Sequence, residues 1–394
     1  MNTLVALCAL GAERILGNEL KLLGYTLCGN APGRVSFSGN DDALYRANLC
    51  LRTADRVFLQ IGNFPARNFD EFFDGVYNIN WQDFFRKDTK VVIDKVRCHK
   101  SRLDSEHAVQ ASAHKAIYKK LSDRWRMSSM PESGDEADVR VYLDNDEALI
   151  LLDLSGKPLH KRGYRTDGGL APLRETVAAV LLQEMLWKRK TPLLDPFCGA
   201  GTIPIEAMLY AHNVAPGFAR HFALETMPFF DPARATEIRR IEAEKIRTDI
   251  EVRITGSDVS KEAVERSRKN TEHACAIVEQ TLKSIGSNEK IKRPQFVQAD
   301  ISTITAQYES GLILCNPPYG ERLGDEDLAK EVYQKMHGLW DEFSGWDFGV
   351  ITTHRKFQEA FGHYAPLLKS IKSGKLDTIL YIYRNSQNSK NKDK

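Results

Sequence analysis

The second half of the chain alternates short apolar stretches with amphipathic or mixed segments, and this alternation most limits its fold. Parallel strands are joined by long crossovers, usually helices, so the pattern predicts a mostly parallel, doubly wound α/β sheet. Two polar segments, 214–248 and 276–293, interrupt the alternation and are predicted to be insertions. The stretches predicted as strands are TPLLDPF, VRITGSD, PQFVQAD, LILCNPP and WDFGVITTH.

The first half mixes short strands and helices without a glycine-rich phosphate loop, which predicts one or two small α+β units. ADVRVYLDNDEALILLDLSG alternates apolar and polar residues on both sides of Asn145–Asp146, a pattern typical of a β-hairpin. The following segment, GKPLHKRGYRTDGGLAPLRE, is rich in Gly, Pro and Arg and is predicted to be an interdomain linker.

The overall composition excludes several classes of protein. The 394 residues include 55 Lys and Arg against 53 Asp and Glu, so the chain is not basic throughout, although its charge can still be segregated. No stretch approaches about 18 consecutive apolar residues, and we expect no membrane span. The apolar N-terminus lacks a preceding basic region and is interpreted as a strand, not a signal peptide. The seven scattered cysteines predict neither a metal site nor disulfides, as in a cytoplasmic protein.

Positive charge is concentrated between Arg86 and Arg126, a segment that contains 12 Lys and Arg but only five Asp and Glu. A helix is predicted from about Ser105 to Trp125, because apolar residues recur there every four positions. Its basic side chains are either a solvated surface or contacts to the phosphates of a nucleic acid, and two linker arginines favour the second interpretation. The predicted RNA-binding residues are Lys115, Lys119, Lys120, Arg124, Arg162 and Arg165.

The segment LLDPFCGAGT, residues 193–202, has the form of a strand, a carboxylate, a glycine-rich turn and a helix. It is not a dinucleotide fingerprint, because Pro204 replaces the third glycine, and it lacks the Gly-Lys-Ser/Thr of a phosphate loop. A carboxylate at Asp195 suits a ligand with a positive amino group, such as S-adenosylmethionine. The alternative is an ordinary tight turn between strand and helix.

Asp258 and Asp300 each follow a later predicted strand. There they can accept hydrogen bonds from ribose hydroxyls and from an adenine amino group, respectively, or simply cap the helices that follow. Three acids at the ends of consecutive parallel strands favour a ligand site at the carboxyl edge of the sheet.

The fourth predicted strand ends in Asn316-Pro317-Pro318-Tyr319. The prolines restrict the backbone, so the Asn316 side-chain oxygen and the Pro317 carbonyl can accept both hydrogens of an exocyclic amino group. Tyr319 can stack on the base that carries this group.

The strings HKRGYR, APLRETVAA, DPFCGAGTIPIEA, NVAPG, NPPYGERLG and IKSGKLDT occur in this order along the chain. Together they resemble the THUMP-containing RNA guanine-N2 methyltransferases, and within that family the N-terminal half of the 23S rRNA methyltransferase RlmL/RlmKL. The resemblance implies a class I, Rossmann-like S-adenosylmethionine-dependent methyltransferase domain over 176–394. It further implies a ferredoxin-like part at 1–60, a THUMP RNA-binding module at 61–158 and a linker at 159–175.

The resemblance also implies functions for individual residues, matched position by position. The target base would be held by Asn316, Pro317 and Tyr319 as catalytic residues. Contacts to S-adenosylmethionine would come from Glu175, Asp195, Phe197, Gly199, Gly201, Asp258 and Asp300. The second methyltransferase module of the long family members is absent, so its activity is not implied.

The implied activity is S-adenosylmethionine-dependent methylation of the N2 amino group of a guanine in RNA, with direct transfer and no metal. The expected partner is 23S rRNA or the assembling large ribosomal subunit. Three alternatives stay open: guanine N2 in tRNA, adenine N6, and a non-catalytic RNA-binding ribosome assembly factor.

Overall fold

Two seven-stranded sheets organise the chain in the computed structural model, which describes residues 1–166, 172–318, 326–374 and 376–385. The first sheet has the order β2-β3-β1-β4-β7-β6-β5. Its strands are β1 (Asn2–Leu7), β2 (Thr26–Ala31), β3 (Arg34–Gly39), β4 (Arg56–Pro65), β5 (Lys90–His99), β6 (Glu136–Asp144) and β7 (Glu147–Asp153). Its helices are α1 (Glu13–Leu22), α2 (Asp41–Cys50), α3 (Phe69–Tyr77) and α4 (Glu106–Trp125).

The predicted boundary at residue 60 falls inside β4, so the first sheet continues across it. β4 pairs with β1 through residues 56–59 and with β7 along most of its length, so both predicted N-terminal units share one sheet. The predicted hairpin is confirmed, because β6 and β7 pair antiparallel around Asn145 and Asp146. Both turn residues have positive φ, 53° and 62°, as a two-residue type I′ turn requires.

The predicted basic helix is also confirmed, as α4. Ser105 caps its N-terminus by accepting a hydrogen bond from the backbone N–H of Ala108. Val109, Ala113, Ile117 and Leu121 are buried, as their spacing predicts.

The second sheet has the order β10-β9-β8-β11-β12-β14-β13, with β8 to β12 parallel. The chain moves outward from β8 to β10 and then returns to the other side of β8, which creates a topological switch point between β8 and β11. The strands are β8 (Leu193–Asp195), β9 (Ile254–Asp258), β10 (Gln295–Gln298), β11 (Leu312–Cys315), β12 (Asp347–Thr352), β13 (Leu367–Ser373) and β14 (Leu376–Tyr383). The helices are α5 (Glu175–Glu184), α6 (Thr202–Ala211), α7 (Pro232–Ala243), α8 (Lys261–Ser284), α9 (Glu326–Glu342) and α10 (Phe357–Phe361).

The five predicted strands of this region are confirmed, but one predicted insertion is not. Residues 276–284 continue α8, whose buried face extends to Val278 and Leu282, so 276–293 does not form a separate insertion. Segment 214–248 joins the two halves of the protein through α7. There Glu242 accepts from Arg46 of α2 at 2.6 Å, and Gly217 donates its backbone N–H to the Leu49 carbonyl at 2.9 Å.

The part of the chain that the structure describes contains no helix long and apolar enough to cross a membrane. Within the same residues, no three His, Cys, Asp or Glu side chains are grouped to hold a metal ion.

Candidate cofactor and substrate site

The carboxylate of Asp195 ends β8 and is only 2% exposed. Its Oδ1 accepts a hydrogen bond from the backbone N–H of Phe197 at 3.1 Å. Burial, and to a lesser degree the nearby Asp258, raises the pKa of Asp195 well above its ordinary value. Among the described residues, no Lys, Arg or His lies within 4.0 Å of this carboxylate. A ligand ammonium group would therefore supply the positive charge that the site lacks.

The glycines after Asp195 shape a tight backbone turn, in which Gly199 is half-buried and Gly201 is buried. Gly199 and Gly201 have φ of 52° and 78°, a conformation that side chains disfavour. A Cβ at Gly201 would also lie 3.1 Å from the Cβ of Ser267. Helix α6 begins directly after this turn, so its first N–H groups point toward the same space.

Two polar residues on α8, which sequence reasoning missed, bind the backbone carbonyls of this turn. Ser267 donates its hydroxyl to the Gly199 carbonyl at 2.8 Å, and Asn270 donates its amide to the Ala200 carbonyl at 3.0 Å. Both side chains are buried. Polar residues three positions apart on the buried face of a helix are the sequence signal that could have found them.

Asp258 ends β9 beside the turn and is half-buried. Its Oδ2 accepts from the backbone N–H of Gly199 and its Oδ1 from that of Ser260, both at 3.0 Å. The structure therefore places Asp258 next to the glycine turn, although 59 residues separate the two in sequence.

Asp300 lies at the same edge but is exposed and forms a cap. Its Oδ1 accepts from the backbone N–H of Ser302 at 2.9 Å and from the Ser302 hydroxyl at 2.7 Å. These hydrogen bonds lower the pKa of the carboxyl. The capping alternative is thus observed, and contact with adenine stays a prediction.

Asn316, Pro317 and Pro318 follow β11, the neighbour of β8 across the switch point. Asn316 is half-buried and Pro317 is buried. Tyr333 of α9, another residue missed in the sequence, donates its buried hydroxyl to the Pro318 carbonyl at 3.2 Å and lies 3.1 Å from the Thr352 hydroxyl. This contact supports the Asn-Pro-Pro backbone from the core. Tyr319 lies outside the described residues.

Glu175 begins α5 and is 3% exposed. Its Oε1 lies 3.2 Å from Nη2 of Arg165, and burial raises the pKa of Glu175 to about 7. The same Nη2 donates to the hydroxyl of Thr202, the first residue of α6, at 2.8 Å. Arg165 therefore connects the start of α5 to the helix behind the glycine turn.

Arg162 and Arg165, both predicted to contact RNA, use their guanidinium groups inside the fold. Arg162 is 3% exposed and donates to the carbonyls of Leu159 and Arg52 at 2.8 and 2.5 Å. Residues near 162 thus form a packed connection instead of an open linker.

The predicted basic side chains of α4 do lie at the surface. Lys115 and Arg124 are exposed, and Lys119 Nζ lies 3.1 Å from Asp123 Oδ2. Lys120 Nζ lies 5.0 Å from the centre of the Tyr77 ring. Their contact with RNA stays a prediction.

The residues at the carboxyl edge fit S-adenosylmethionine. Among the described residues, the buried Asp195 carboxylate has no cationic partner. A Cβ at Gly199 would meet only the Phe197 carbonyl oxygen, at 4.0 Å, and Asp258 offers carboxylate oxygens on the adjacent strand. Together with the strand order, this donor set defines a class I S-adenosylmethionine-dependent methyltransferase with an N-terminal α+β region.

Comparison with known families agrees with this class. Residues 162–381 match the family described as "RMKL-like, methyltransferase domain", and residues 3–58 match the "RlmL ferredoxin-like domain". The chain belongs to the RMKL-like methyltransferase family and uses S-adenosylmethionine.

Three similar proteins cover nearly the whole chain. YpsC of Bacillus subtilis (strain 168), whose name assigns it provisionally to the RNA methyltransferases, is 38% identical over 384 residues, which are 97% of this chain and 95% of YpsC. The ribosomal RNA large subunit methyltransferase K/L of Aliivibrio fischeri (strain MJ11) is 29% identical over 403 residues, and the chain spans only 55% of its length. The crystal structure of SMU.472, provisionally called a methyltransferase and complexed with SAH, superposes with a TM-score of 0.84 at 33% identity and covers 98% of both chains.

Proposed function

We propose that the protein methylates the exocyclic N2 amino group of a guanine in RNA, and that this RNA is 23S rRNA. The observation that carries the proposal is the Asn316-Pro317-Pro318 segment, supported by Tyr333 and placed across the switch point from the buried Asp195. The similarity to YpsC and to the K/L rRNA methyltransferase supports RNA as the substrate class.

In the proposed reaction, the protein contributes hydrogen-bond acceptors and holds the reactants in position, and none of its side chains forms a covalent bond to the substrate. When bound, S-adenosylmethionine supplies an electrophilic methyl group on a sulfonium sulfur. Asp195 holds the amino group of the methionine end, while Asp258 accepts hydrogen bonds from hydroxyls and keeps the glycine turn in place.

Asn316 and Pro317 orient the target nitrogen. The amide oxygen and the backbone carbonyl each accept one hydrogen of the amino group, which stabilises the positive charge that develops on nitrogen during transfer. The base must leave its stack to reach these acceptors, so an unpaired or flipped guanine is the substrate. Catalysis then depends on positioning, because a misplacement of about 1 Å can slow the reaction about 100-fold.

RNA capture is assigned to the N-terminal half. We propose that residues 61–158 act as a THUMP-type RNA-binding module and that the exposed lysines of α4 contact phosphates. Such contacts supply affinity that does not depend on sequence.

The test is mass-spectrometric nucleoside analysis of separated 23S rRNA and tRNA from a deletion strain. We expect N2-methylguanosine to decrease in 23S rRNA, and to return on complementation with the wild-type gene but not with Asn316→Ala. A loss confined to N6-methyladenosine or to tRNA would contradict the proposed base or RNA. Unchanged modification, together with no S-adenosylmethionine binding by calorimetry, would favour an assembly factor.

A further inference from the structure

Among the described residues, the helices that pack on the first sheet all lie on one of its two faces. The buried residues of α1 to α4 all belong to one core, together with strand residues such as Leu4 and Ala6. The alternate residues on the strands point to the opposite face, where Val5, Phe58 and Leu151 form a small cluster whose buried and flanking members all come from strands. These three apolar residues are fully buried, and the Arg140 side chain lies over one of them, with its Cζ 4.7 Å from the centre of the Phe58 ring.

The face of the first sheet opposite its helices contains a strongly basic cleft of about 450 Å³ near the second sheet. A single carboxylate, Asp55, lines it. Six cationic side chains line it as well: Arg34, Arg56, Lys95, Arg97, Arg140 and Arg174.

Two of these cations have no acidic partner. Among the described residues, neither Arg34 nor Lys95 lies within 4.0 Å of a carboxylate. The Arg34 guanidinium stacks on the Tyr142 ring with 4.4 Å between Cζ and the ring centre. Burial, then the charges of Arg97 and Arg140, lowers the pKa of Lys95. By contrast, Arg140 forms a two-point ion pair with Asp94.

His160 lies at the wall of the cleft, with its Nδ1 3.9 Å from Oδ1 of Asp55. Its pKa is lowered to about 3, first by burial and then by four nearby cations, of which Arg174 also lines the cleft. Its Nδ1 is buried without a hydrogen-bond partner among the described residues.

The cleft is connected to the catalytic edge. Its carboxylate Asp55 accepts a hydrogen bond from the Thr176 hydroxyl at 2.7 Å, next to Glu175 in α5. Leu10 also bridges to Lys372 near the end of β13, so the β1–α1 loop contacts the second sheet. Through Asp55 and the β1–α1 loop, the cleft therefore adjoins both the start of α5 and the second sheet.

We propose that this cleft binds phosphodiester groups of the RNA strand adjacent to the target nucleotide. The inference rests on the proposed function and deepens it, because it assigns RNA docking to the sheet face opposite the helices as well as to α4. Arg34 and Lys95 carry the site: neither has a carboxylate within 4.0 Å in the described part of the chain, and phosphates would neutralise their charges.

The test is filter binding of an unmodified 23S rRNA transcript to the full chain across a series of salt concentrations. The double variant Arg34→Gln/Lys95→Gln should bind about tenfold more weakly near physiological salt. Its salt slope should be shallower by about 1.4, since each phosphate contact to a single strand contributes about 0.7.

The matched control is Lys21→Gln/Lys283→Gln, which removes two exposed charges from the last turns of α1 and α8. It should leave the salt slope unchanged. Calorimetry with S-adenosylmethionine reports whether each variant is folded. If the double variant does not fold, the single variant Lys95→Gln replaces it, and its slope should fall by about 0.7.

The two proposals fail in different ways. Wild-type affinity and salt slope in the folded cleft variant, with RNA still methylated, would overturn the cleft assignment alone. Competition by millimolar GMP as complete as that by unlabelled RNA would overturn it too, because the site would then recognise a free nucleotide. Absence of RNA binding by the wild-type protein would overturn the proposed function and, with it, the cleft.

Discussion

The backbone N–H of Gly199 donates a hydrogen bond to Oδ2 of Asp258 at 3.0 Å, which couples the glycine turn after β8 to the end of β9. The same carboxylate accepts from Ser260 through its other oxygen. Asp258 therefore has two tasks: it keeps the turn in place, and in the proposed site it also faces the cofactor. Replacing it should disturb the binding of the cofactor before it disturbs the chemistry.

For Asp258→Ala we expect S-adenosylmethionine to bind about 10- to 100-fold more weakly, since hydrogen bonds to a charged group contribute about 1.5–3 kcal/mol. Isothermal titration calorimetry measures the change. Asp300→Ala is the comparison, because that carboxylate is exposed and caps a turn. An equal loss of S-adenosylmethionine affinity in both variants would show that the position of Asp258 beside the glycine turn does not matter for cofactor binding.

Asn316→Ala should have the opposite effect. The turn and both acids remain, so affinity for S-adenosylmethionine should stay close to wild type, while turnover falls about 100- to 1000-fold, as for other lost transition-state hydrogen bonds. Single-turnover methylation of RNA gives the rate. A variant that loses cofactor affinity as strongly as Asp258→Ala would contradict the separate functions assigned to the two residues.

Gly201 and Gly286 offer a matched pair, because their φ angles are 78° and 79°. A Cβ at Gly286 meets no atom within 4 Å, whereas at Gly201 it would meet Ser267 at 3.1 Å. We expect Gly286→Ala to lower the free energy of unfolding by about 1 kcal/mol and Gly201→Ala by about 2–3 kcal/mol. Urea denaturation measures both, and equal losses would mean that Ser267 moves aside freely.

Glu175 should make stability depend on pH. Its pKa in the folded protein is raised to about 7 from 4.5, so its contribution is complete below about pH 4.5 and is lost as the pH rises through about 7. Glu175→Gln removes this titration. The difference in unfolding free energy, wild type minus variant, should fall by up to about 3 kcal/mol between about pH 5 and pH 8. Parallel stability curves would show that Arg165 keeps the carboxylate charged throughout.

Charge reversal at Lys115 and Lys119 tests the predicted surface of α4. The Lys115→Glu/Lys119→Glu variant should bind 23S rRNA more weakly and with a shallower salt dependence, because two phosphate contacts are lost. Filter binding against salt measures the slope. A slope equal to that of the wild-type protein would remove α4 from the interface and leave the sheet cleft as the proposed docking surface.

Much of the fold was predictable from local pattern. Alternation with period two predicted the hairpin at Asn145–Asp146, and four-residue spacing predicted the buried side of α4. The missed strands β2 and β13 are sheet edges with mostly exposed residues, so they lack a continuous buried face. β14 was missed as well, although its last four residues are buried. The continuous first sheet was missed because strand pairing between β4 and β7 joins residues far apart in sequence.

The sequence by itself determined the chemistry at the carboxyl edge. In a parallel β/α alternation every strand delivers its C-terminal residue to one edge, so Asp195, Asp258 and Asn316 had to converge. Only the tertiary structure decided which basic residues remain available for a partner. Arg162 donates to a backbone carbonyl and Arg165 pairs with Glu175, both inside the protein. Arg34 and Lys95, by contrast, lack carboxylate partners among the described residues. The physical reason is that burial and ion pairing depend on neighbours brought together by folding, and no local pattern contains them.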